Sequence, residues 1–321
     1  MGFLKNGEWH DEWDHNDEDS GAFERDESAF RNWVTVDGAP GPTGKGGFTA
    51  EPGRYRLYIS LACPWAHRAN VARHLKGLTG AIELVVVHWL MKDGGWSFRE
   101  GECVTPDPLI DADYLHQVYT KAKPDYSGHV TVPLLWDTKT GTIVNNESAD
   151  ILRMLGSAFD QCGGNDLELY PEAFRKEIDD LNDRVYDAVN NGVYKAGFAT
   201  SQQAYEKAVH PLFSMLDELE NRLEKEKWLV GGQLTEADIR LWTTLIRFDP
   251  VYNVHFKCNI RRIADYPQLS ALTRRIYDLD GISDTVNFKH IRHHYYESHE
   301  QVNPSGIVPA GPEPLVPGSE A

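Results

Sequence analysis

Polar and apolar positions change rhythm once along this chain. In the first half they read as short strands and helices in alternation; in the second they repeat at helical spacing. Arg54-Tyr-Arg-Leu-Tyr-Ile-Ser60 alternates and is rich in β-formers, which predicts a strand. A helix is predicted over Trp65–Lys76, with Pro64 at its first turn and Gly77 as its stop. Ile82–His88 is an apolar run of the kind found in buried parallel strands. Residues 89–128 read as a long insertion, with room for a short helix near 111–119; connections of that length inside a domain are usually functional. Val130–Trp136 is predicted as the next strand. Its proline fits only at an edge, a bulge or a special bond, so Val132–Pro133 is a candidate cis peptide. A Thr140-Gly141 turn leads to a hairpin partner, Thr142–Val144, and Glu147-Ser148 opens a helix reaching Leu155. The predicted order is strand, helix, strand, insertion, strand, strand, helix: one α/β layer.

From about residue 166 the pattern is all-helical. Ile178-Leu181-Val185-Ala188-Val189 is spaced as one helix face, and Ala208-Leu212-Met215-Leu216-Leu219-Leu223 as another. Thr235 and Asp238 form a capping box ahead of Ile239-Leu241-Trp242-Leu245-Ile246. Leu269-Leu272-Ile276-Leu279 is a further face, stopped by Gly281. The predicted division is an arm over 1–50 anchored locally by Phe30 and Trp33, an α/β domain over 51–160, an all-helical domain over 166–302 and a tail over 303–321. The tail's prolines make it an extended wrap or disordered.

Composition narrows the function. Lys+Arg number 32 and Asp+Glu 49, a net charge of −17, which argues against a broad electrostatic grip on nucleic acid or an anionic membrane. There is no apolar run long enough for a membrane helix, and Met1–Ser20 lacks the basic and apolar segments of a secretory signal, so the cytoplasm is the expected location. The cysteines, Cys63, Cys103, Cys162 and Cys258, form no C-x-x-C pair, which removes dithiol and zinc-knuckle readings and leaves single-thiol chemistry. His290, His293, His294 and His299 have no carboxylates at ligand spacing, and no metal is expected. Gly38–Gly47 lacks the Gly-Lys-Ser/Thr of a phosphate loop.

The candidate thiol is Cys63, between a strand and a helix start. Free backbone N–H groups and the helix dipole favour the thiolate there, and the strand–loop–helix placement predicts an exposed sulfur. Ala66 stands where a dithiol motif has its second cysteine, so an external thiol must resolve any mixed disulfide on Cys63.

Six long strings carry a resemblance: Ser60-Leu-Ala-Cys-Pro-Trp-Ala-His-Arg68, Val132-Pro-Leu-Leu-Trp-Asp137, Ile143-Val-Asn-Asn-Glu-Ser-Ala-Asp-Ile151, Asn191-Gly-Val-Tyr-Lys-Ala-Gly-Phe-Ala199, Val251-Tyr-Asn-Val-His-Phe-Lys-Cys-Asn259 and His293-His-Tyr-Tyr-Glu-Ser-His299. From about residue 23 to about 312 the chain resembles the xi class of glutathione transferases, the glutathionyl-hydroquinone reductases. The resemblance implies a thioredoxin-like α/β N-terminal domain, an all-α C-terminal domain and a homodimer. It implies reduction of a glutathionyl-hydroquinone by a second glutathione. No tightly bound cofactor is implied; glutathione, or a related thiol such as γ-glutamylcysteine, is the co-substrate.

Residue by residue, the resemblance makes Cys63 the nucleophile, Trp96 a glutathione contact and Tyr194 the acid/base tyrosine. Tyr252 and Tyr295 match positions that hydrogen-bond the hydroquinone or stabilise the thiolate, and Tyr296 is easily confused with its neighbour. Val132 can pair with the cysteinyl part of a peptide thiol like an added strand. Glu147 suits a γ-glutamyl ammonium, and Ser148 with the free N–H groups of its helix suits the carboxylate. His129 departs from the family, which usually has Arg there. Arg grips a carboxylate bidentately and permanently, neutral His only weakly, so weaker binding of glutathione's glycine end is expected, with a preference for a thiol lacking that glycine, such as γ-glutamylcysteine, or for another cellular thiol. Other readings are a transferase conjugating or dehalogenating electrophiles, a general deglutathionylating reductase, and a non-catalytic module. Cys63 argues for reduction, since conjugating enzymes usually activate the bound thiol with Ser or Tyr.

Overall fold

Asn6 and Gly7 both take positive φ (51° and 82°), the backbone of a tight two-residue hairpin. They join β1 (Phe3–Lys5) to β2 (Glu8–His10), so the start of the segment expected to be an arm is paired antiparallel structure. The structure, a computed structural model, describes residues 2–12 and 20–317. It divides into two units: Met1–Asp14 with Asp26–Leu167, and His15–Arg25 with Glu168–Ala321.

In the first unit the elements after the hairpin are β3 (Tyr55–Ile59), α1 (Pro64–Leu75), β4 (Ile82–Val86), α2 (Leu115–Ala122), β5 (Gly128–His129), β6 (Leu134–Asp137), β7 (Thr142–Asn145) and α3 (Ser148–Ser157). The main sheet runs β4-β3-β6-β7. β3 and β4 are parallel, with Tyr55 opposite Ile82; β6 runs antiparallel to β3, with Tyr58 opposite Leu134. Leu57, Leu134, Leu135 and Trp136 are completely buried, and α1 packs against α3. This is the thioredoxin-like arrangement expected. Gly77 ends α1 with φ of 71°, a left-handed value that glycine adopts without steric cost.

The stretch predicted as one strand, Val130–Trp136, is divided. β5 pairs with β1, with Phe3 opposite His129, while β6 joins the main sheet. Val132–Pro133 is cis, as its position suggested. The alternation Val-Thr-Val mimics a strand, but proline cannot donate to a ladder, and the chain changes sheets at that point.

At one end of the central strand pair, Arg54 forks onto Asp137 with two bonds of 2.7 Å. Both side chains are nearly or fully buried, at 5% and 0% exposure. Lys76, also buried, ties the end of α1 to later chain by donating to the carbonyls of Asn165 and Leu167.

The helical unit contains α4 (Arg175–Val185), α5 (Gly192–Gly197), α6 (Gln202–Leu223), α7 (Glu236–Arg247), α8 (Pro267–Tyr277) and α9 (Phe288–Ser298). Single π-helical turns follow α4 (Tyr186–Asn190) and α7 (Phe248–Tyr252). The Thr235–Asp238 capping box forms: Asp238 accepts the Thr235 N–H at 2.9 Å and the Leu229 N–H at 2.9 Å. Every residue of α7 is buried, so its polar groups need internal partners; Glu236, for example, accepts from Asn182 at 2.8 Å. The tail, as far as Pro317, is a wrap. Tyr277 and Arg292 donate to the carbonyls of Pro317 and Pro309, and Val316 is buried. No helix among the described residues is long and apolar enough to cross a membrane.

The Arg54–Asp137 fork gives a stability test. Arg54→Met leaves a carboxylate buried without its cation, which costs about 3–5 kcal/mol. The expected outcome is a matching loss in urea unfolding at neutral pH, with the slope of the transition unchanged.

Candidate active site

Cys63 is the residue at which α1 begins. Its backbone is extended (φ −76°, ψ 121°), and its side chain folds back over the first turn so that Sγ accepts the Ala66 N–H at 3.5 Å. The thiol donates to the Val132 carbonyl at 3.6 Å. The exposure expected from the strand–loop–helix placement is small: Cys63 keeps 9% of its surface, because capping turns the sulfur inward. The Val132 N–H has no hydrogen-bond partner among the described residues. Beside the sulfur there is thus a backbone segment with an available donor.

Glu147 caps α3. One carboxylate oxygen accepts the Ala149 N–H at 3.0 Å, and the other accepts the Ser28 hydroxyl at 3.0 Å. Ser148, the first residue of the helix, is buried; its hydroxyl donates to Glu147 at 3.3 Å and accepts from Arg68 at 3.4 Å. The capping residue of this helix is Glu147, not Ser148. Arg68 received no role from sequence. It is buried on α1, its guanidinium 4.5 Å from the Trp65 ring, and it links the helix bearing Cys63 to the helix bearing Ser148. Its place one turn after Pro64, three residues after Trp65 on the same helix, was the available signal.

Trp96 is buried in the insertion. Its carbonyl accepts the Leu115 N–H at 2.8 Å, and Ser97 bridges to Tyr114, so this stretch is laced to the start of α2. His129 on β5 has Nδ1 2.9 Å from the Asp26 carboxylate, and Phe3 meets its ring edge-on at 6.2 Å.

The helical unit brings the predicted tyrosines together. The Tyr194 hydroxyl lies 2.6 Å from that of Tyr295, which lies 2.9 Å from that of Tyr252. Tyr252 and Tyr295 are sealed, at 0% and 1% exposure, whereas Tyr194 retains 7%. Burial first, then the neighbouring phenol charges, hold Tyr252 and Tyr295 well above the usual phenol range, and Arg247 opposes this only in part. Both are therefore neutral donors at physiological pH. Tyr296, the neighbour that could be mistaken for Tyr295, points elsewhere and donates to the Pro250 carbonyl at 3.2 Å.

One helical turn beyond the Tyr252–Tyr295 pair, His255 Nε2 and His299 Nδ1 are 3.1 Å apart, both rings buried. Burial, reinforced by Lys257 and His294, pushes His255 down to about 3; burial likewise takes His299 well below the ordinary histidine range. Among the described residues no group of three or more potential ligands could hold a metal ion. Cys103, Cys162 and Cys258 form no disulfide among the described residues, and burial raises Cys258 above the ordinary range.

Two family models match, "Glutathione S-transferase, N-terminal domain" over residues 62–158 and "Glutathione S-transferase, C-terminal domain" over residues 202–275. Glutathionyl-hydroquinone reductase YqjG of Escherichia coli (strain K12) is 56% identical over 97% of this chain and 95% of its own length. Glutathionyl-hydroquinone reductase PcpF of Sphingobium chlorophenolicum is 50% identical over 99% and 98%. A glutathione-bound structure of YqjG, described as a glutathione transferase homolog, superposes with a TM-score of 0.90 at 52% identity, covering 99% of this chain and 98% of that one. The chain belongs to the glutathione transferase family and, within it, to the xi class that comprises the glutathionyl-hydroquinone reductases.

The histidine pair sets a pH dependence of stability. The unfolded chain protonates its histidines near 6.5, the folded chain only at about 3 for His255, so stability is intact above 6.5 and is lost as pH falls toward 3. Each such histidine contributes up to about 1.4 kcal/mol per pH unit in that window. His255→Gln is expected to flatten the decline in urea midpoint between pH 6.5 and 4; an unchanged slope counts against a neutral buried pair.

Proposed function

We propose that this chain removes glutathione from glutathionyl-hydroquinones by way of a mixed disulfide on Cys63. The observation that carries the reading is the sulfur at the start of α1, facing the Ala66 N–H and lying beside the unpartnered Val132 N–H. The first contact stabilises negative charge on sulfur. The second suits the cysteinyl backbone of a peptide thiol laid down as an added strand. Ser148, Arg68 and the start of α3 suit the γ-glutamyl carboxylate, with Glu147 for its ammonium and Trp96 and His129 for the remainder.

In the first half-reaction the Cys63 thiolate attacks the sulfur of the aryl thioether. The carbon–sulfur pair stays with the ring carbon, which takes a proton from Tyr194, and hydroquinone leaves. Glutathione's sulfur is now bonded to Cys63. The Tyr194 phenolate so formed is held by the Tyr295 hydroxyl, itself backed by Tyr252, and takes its proton back from solvent. In the second half-reaction another thiol attacks the mixed disulfide, returning the Cys63 thiolate and yielding the thiol disulfide and a proton. Two copies of the chain form the working protein, and it acts in the cytoplasm; the family resemblance supports both.

Intact-mass analysis after mixing enzyme with a glutathionyl-hydroquinone, without added thiol, should show one glutathione on Cys63 and one hydroquinone released. Cys63→Ser is expected to abolish release, and Tyr194→Phe to slow it about 10²-fold. Conjugation of electrophiles that survives Cys63→Ala, with no mixed disulfide, would establish the transferase reading instead.

The Asp26 carboxylate at His129 favours a second reading, on the choice of thiol. It occupies the side chain that stands in for the family Arg and places negative charge where the glycine carboxylate would approach. The expected result is a higher kcat/KM with γ-glutamylcysteine than with glutathione, reversed by His129→Arg. Equal values for the two thiols in the wild type remove this reading.

A further inference from the structure

Ser20–Arg25 pack with the helical unit although the residues that follow belong to the other. The Ser201 hydroxyl donates to the Ser20 carbonyl at 2.9 Å, and the Thr200 N–H donates to the Gly21 carbonyl at 3.1 Å. The approach is close enough that a Cβ on Gly21 would meet Thr200 Oγ1 at 2.4 Å. Phe23, buried, lies 6.3 Å from the Tyr194 ring and 5.3 Å from Phe198. Arg25 comes next. Its Nε donates to the Asn191 amide oxygen at 3.2 Å, and its guanidinium carbon sits 5.2 Å from the centroid of the Tyr194 ring and 5.5 Å from that of Phe23. Asn191 and Tyr194 are three residues apart at the start of α5, so one helical turn fixes both the direction and the height of this cation over the phenol.

We propose that Arg25 is a positioning residue for Tyr194, a fixed cation over the ring face that makes its hydroxyl a better proton donor to the leaving hydroquinone carbon. The proposal rests on the reading of Tyr194 as the acid. A phenolate ring is richer in electrons than a phenol ring, so a cation over its face stabilises the ionised form more. The other groups facing this hydroxyl are the Tyr295 phenol and, behind it, Tyr252. Arg247 lends its charge to those two, and Lys195 on α5 itself is paired with Asp187. The deep phenols are held neutral by burial. Arg25 is the cation applied directly to the one tyrosine of the three that retains some surface.

The two half-reactions separate this role from a structural one, because only the first moves a proton to carbon. Rapid-mixing of stoichiometric enzyme with a glutathionyl-hydroquinone reads the first; glutathione added to the isolated mixed disulfide reads the second. Arg25→Gln is expected to slow hydroquinone release about 2–5-fold, the cation–π range at an exposed site converted at tenfold per 1.4 kcal/mol, and to leave disulfide resolution unchanged. The alkaline limb of the first half-reaction should move to higher pH, since removing the cation makes the phenol harder to ionise. Arg25→Lys, which keeps the charge, should restore most of the rate. Slowing of both halves alike, slowing of neither, an unmoved alkaline limb, or a lysine variant as slow as the glutamine one each overturns the proposal. Failure of the wild type to release hydroquinone overturns instead the reading of Tyr194 on which it rests.

Discussion

The Cys63 sulfur is fixed by two contacts, the Ala66 N–H in the first turn of α1 and the Val132 carbonyl on the segment before Pro133. Much of the α/β unit keeps those two segments in register. β3 delivers the chain to Cys63, β6 starts directly after Pro133, and the pairing of Tyr58 with Leu134 sets the two ends side by side. The Arg54–Asp137 fork closes the opposite end of the same strand pair. Arg68 then joins α1 to α3, so the thiol and the helix start at Ser148 are positioned by one packed layer.

The phenol cluster obeys a different constraint. Three hydroxyls buried among Phe198, Phe256 and histidine rings satisfy one another, because few other partners are at hand. Burial keeps the two deep hydroxyls, Tyr252 and Tyr295, neutral. The two π-helical turns matter here. Each widens the backbone just before a tyrosine of the cluster, after α4 ahead of Tyr194 and after α7 at Tyr252, and redirects the chain that follows.

Much of this was legible in the residues. The alternation over Arg54–Ser60, the proline after Cys63, the misplaced proline at 133 and the Thr235–Asp238 box each carry a local physical meaning, and each appears as read. The failures are instructive in the same terms. Asn6-Gly7 is a strong hairpin signal that short flanking strands and an acidic setting obscured. Val130–Val132 alternates like a strand, yet its hydrogen bonds are dictated by Pro133 and by β1, two partners that no local pattern reveals. A π-turn leaves no periodic trace. The inward turn of the Cys63 side chain and the sealing of Tyr252 and Tyr295 depend on neighbours distant in sequence. Arg25 sits in an acidic run, Glu24-Arg25-Asp26-Glu27, and is exposed as such a run suggests; nothing local reveals that Asn191 and Tyr194 lie beneath it.

The wrapped tail carries a consequence for how the protein ages. Arg292 and Tyr296 on α9 hold the chain after residue 302 through the carbonyls of Pro309 and, by way of Asn303, of Tyr296 itself. Val316 is buried, and Tyr277 on α8 fastens Pro317. A protease nick anywhere along this strap would unlace the outer side of the helix that bears Tyr295 while leaving the α/β unit intact. Clipped molecules would then keep Cys63 and its helix as folded within their own unit while the phenol cluster of the helical unit loosened.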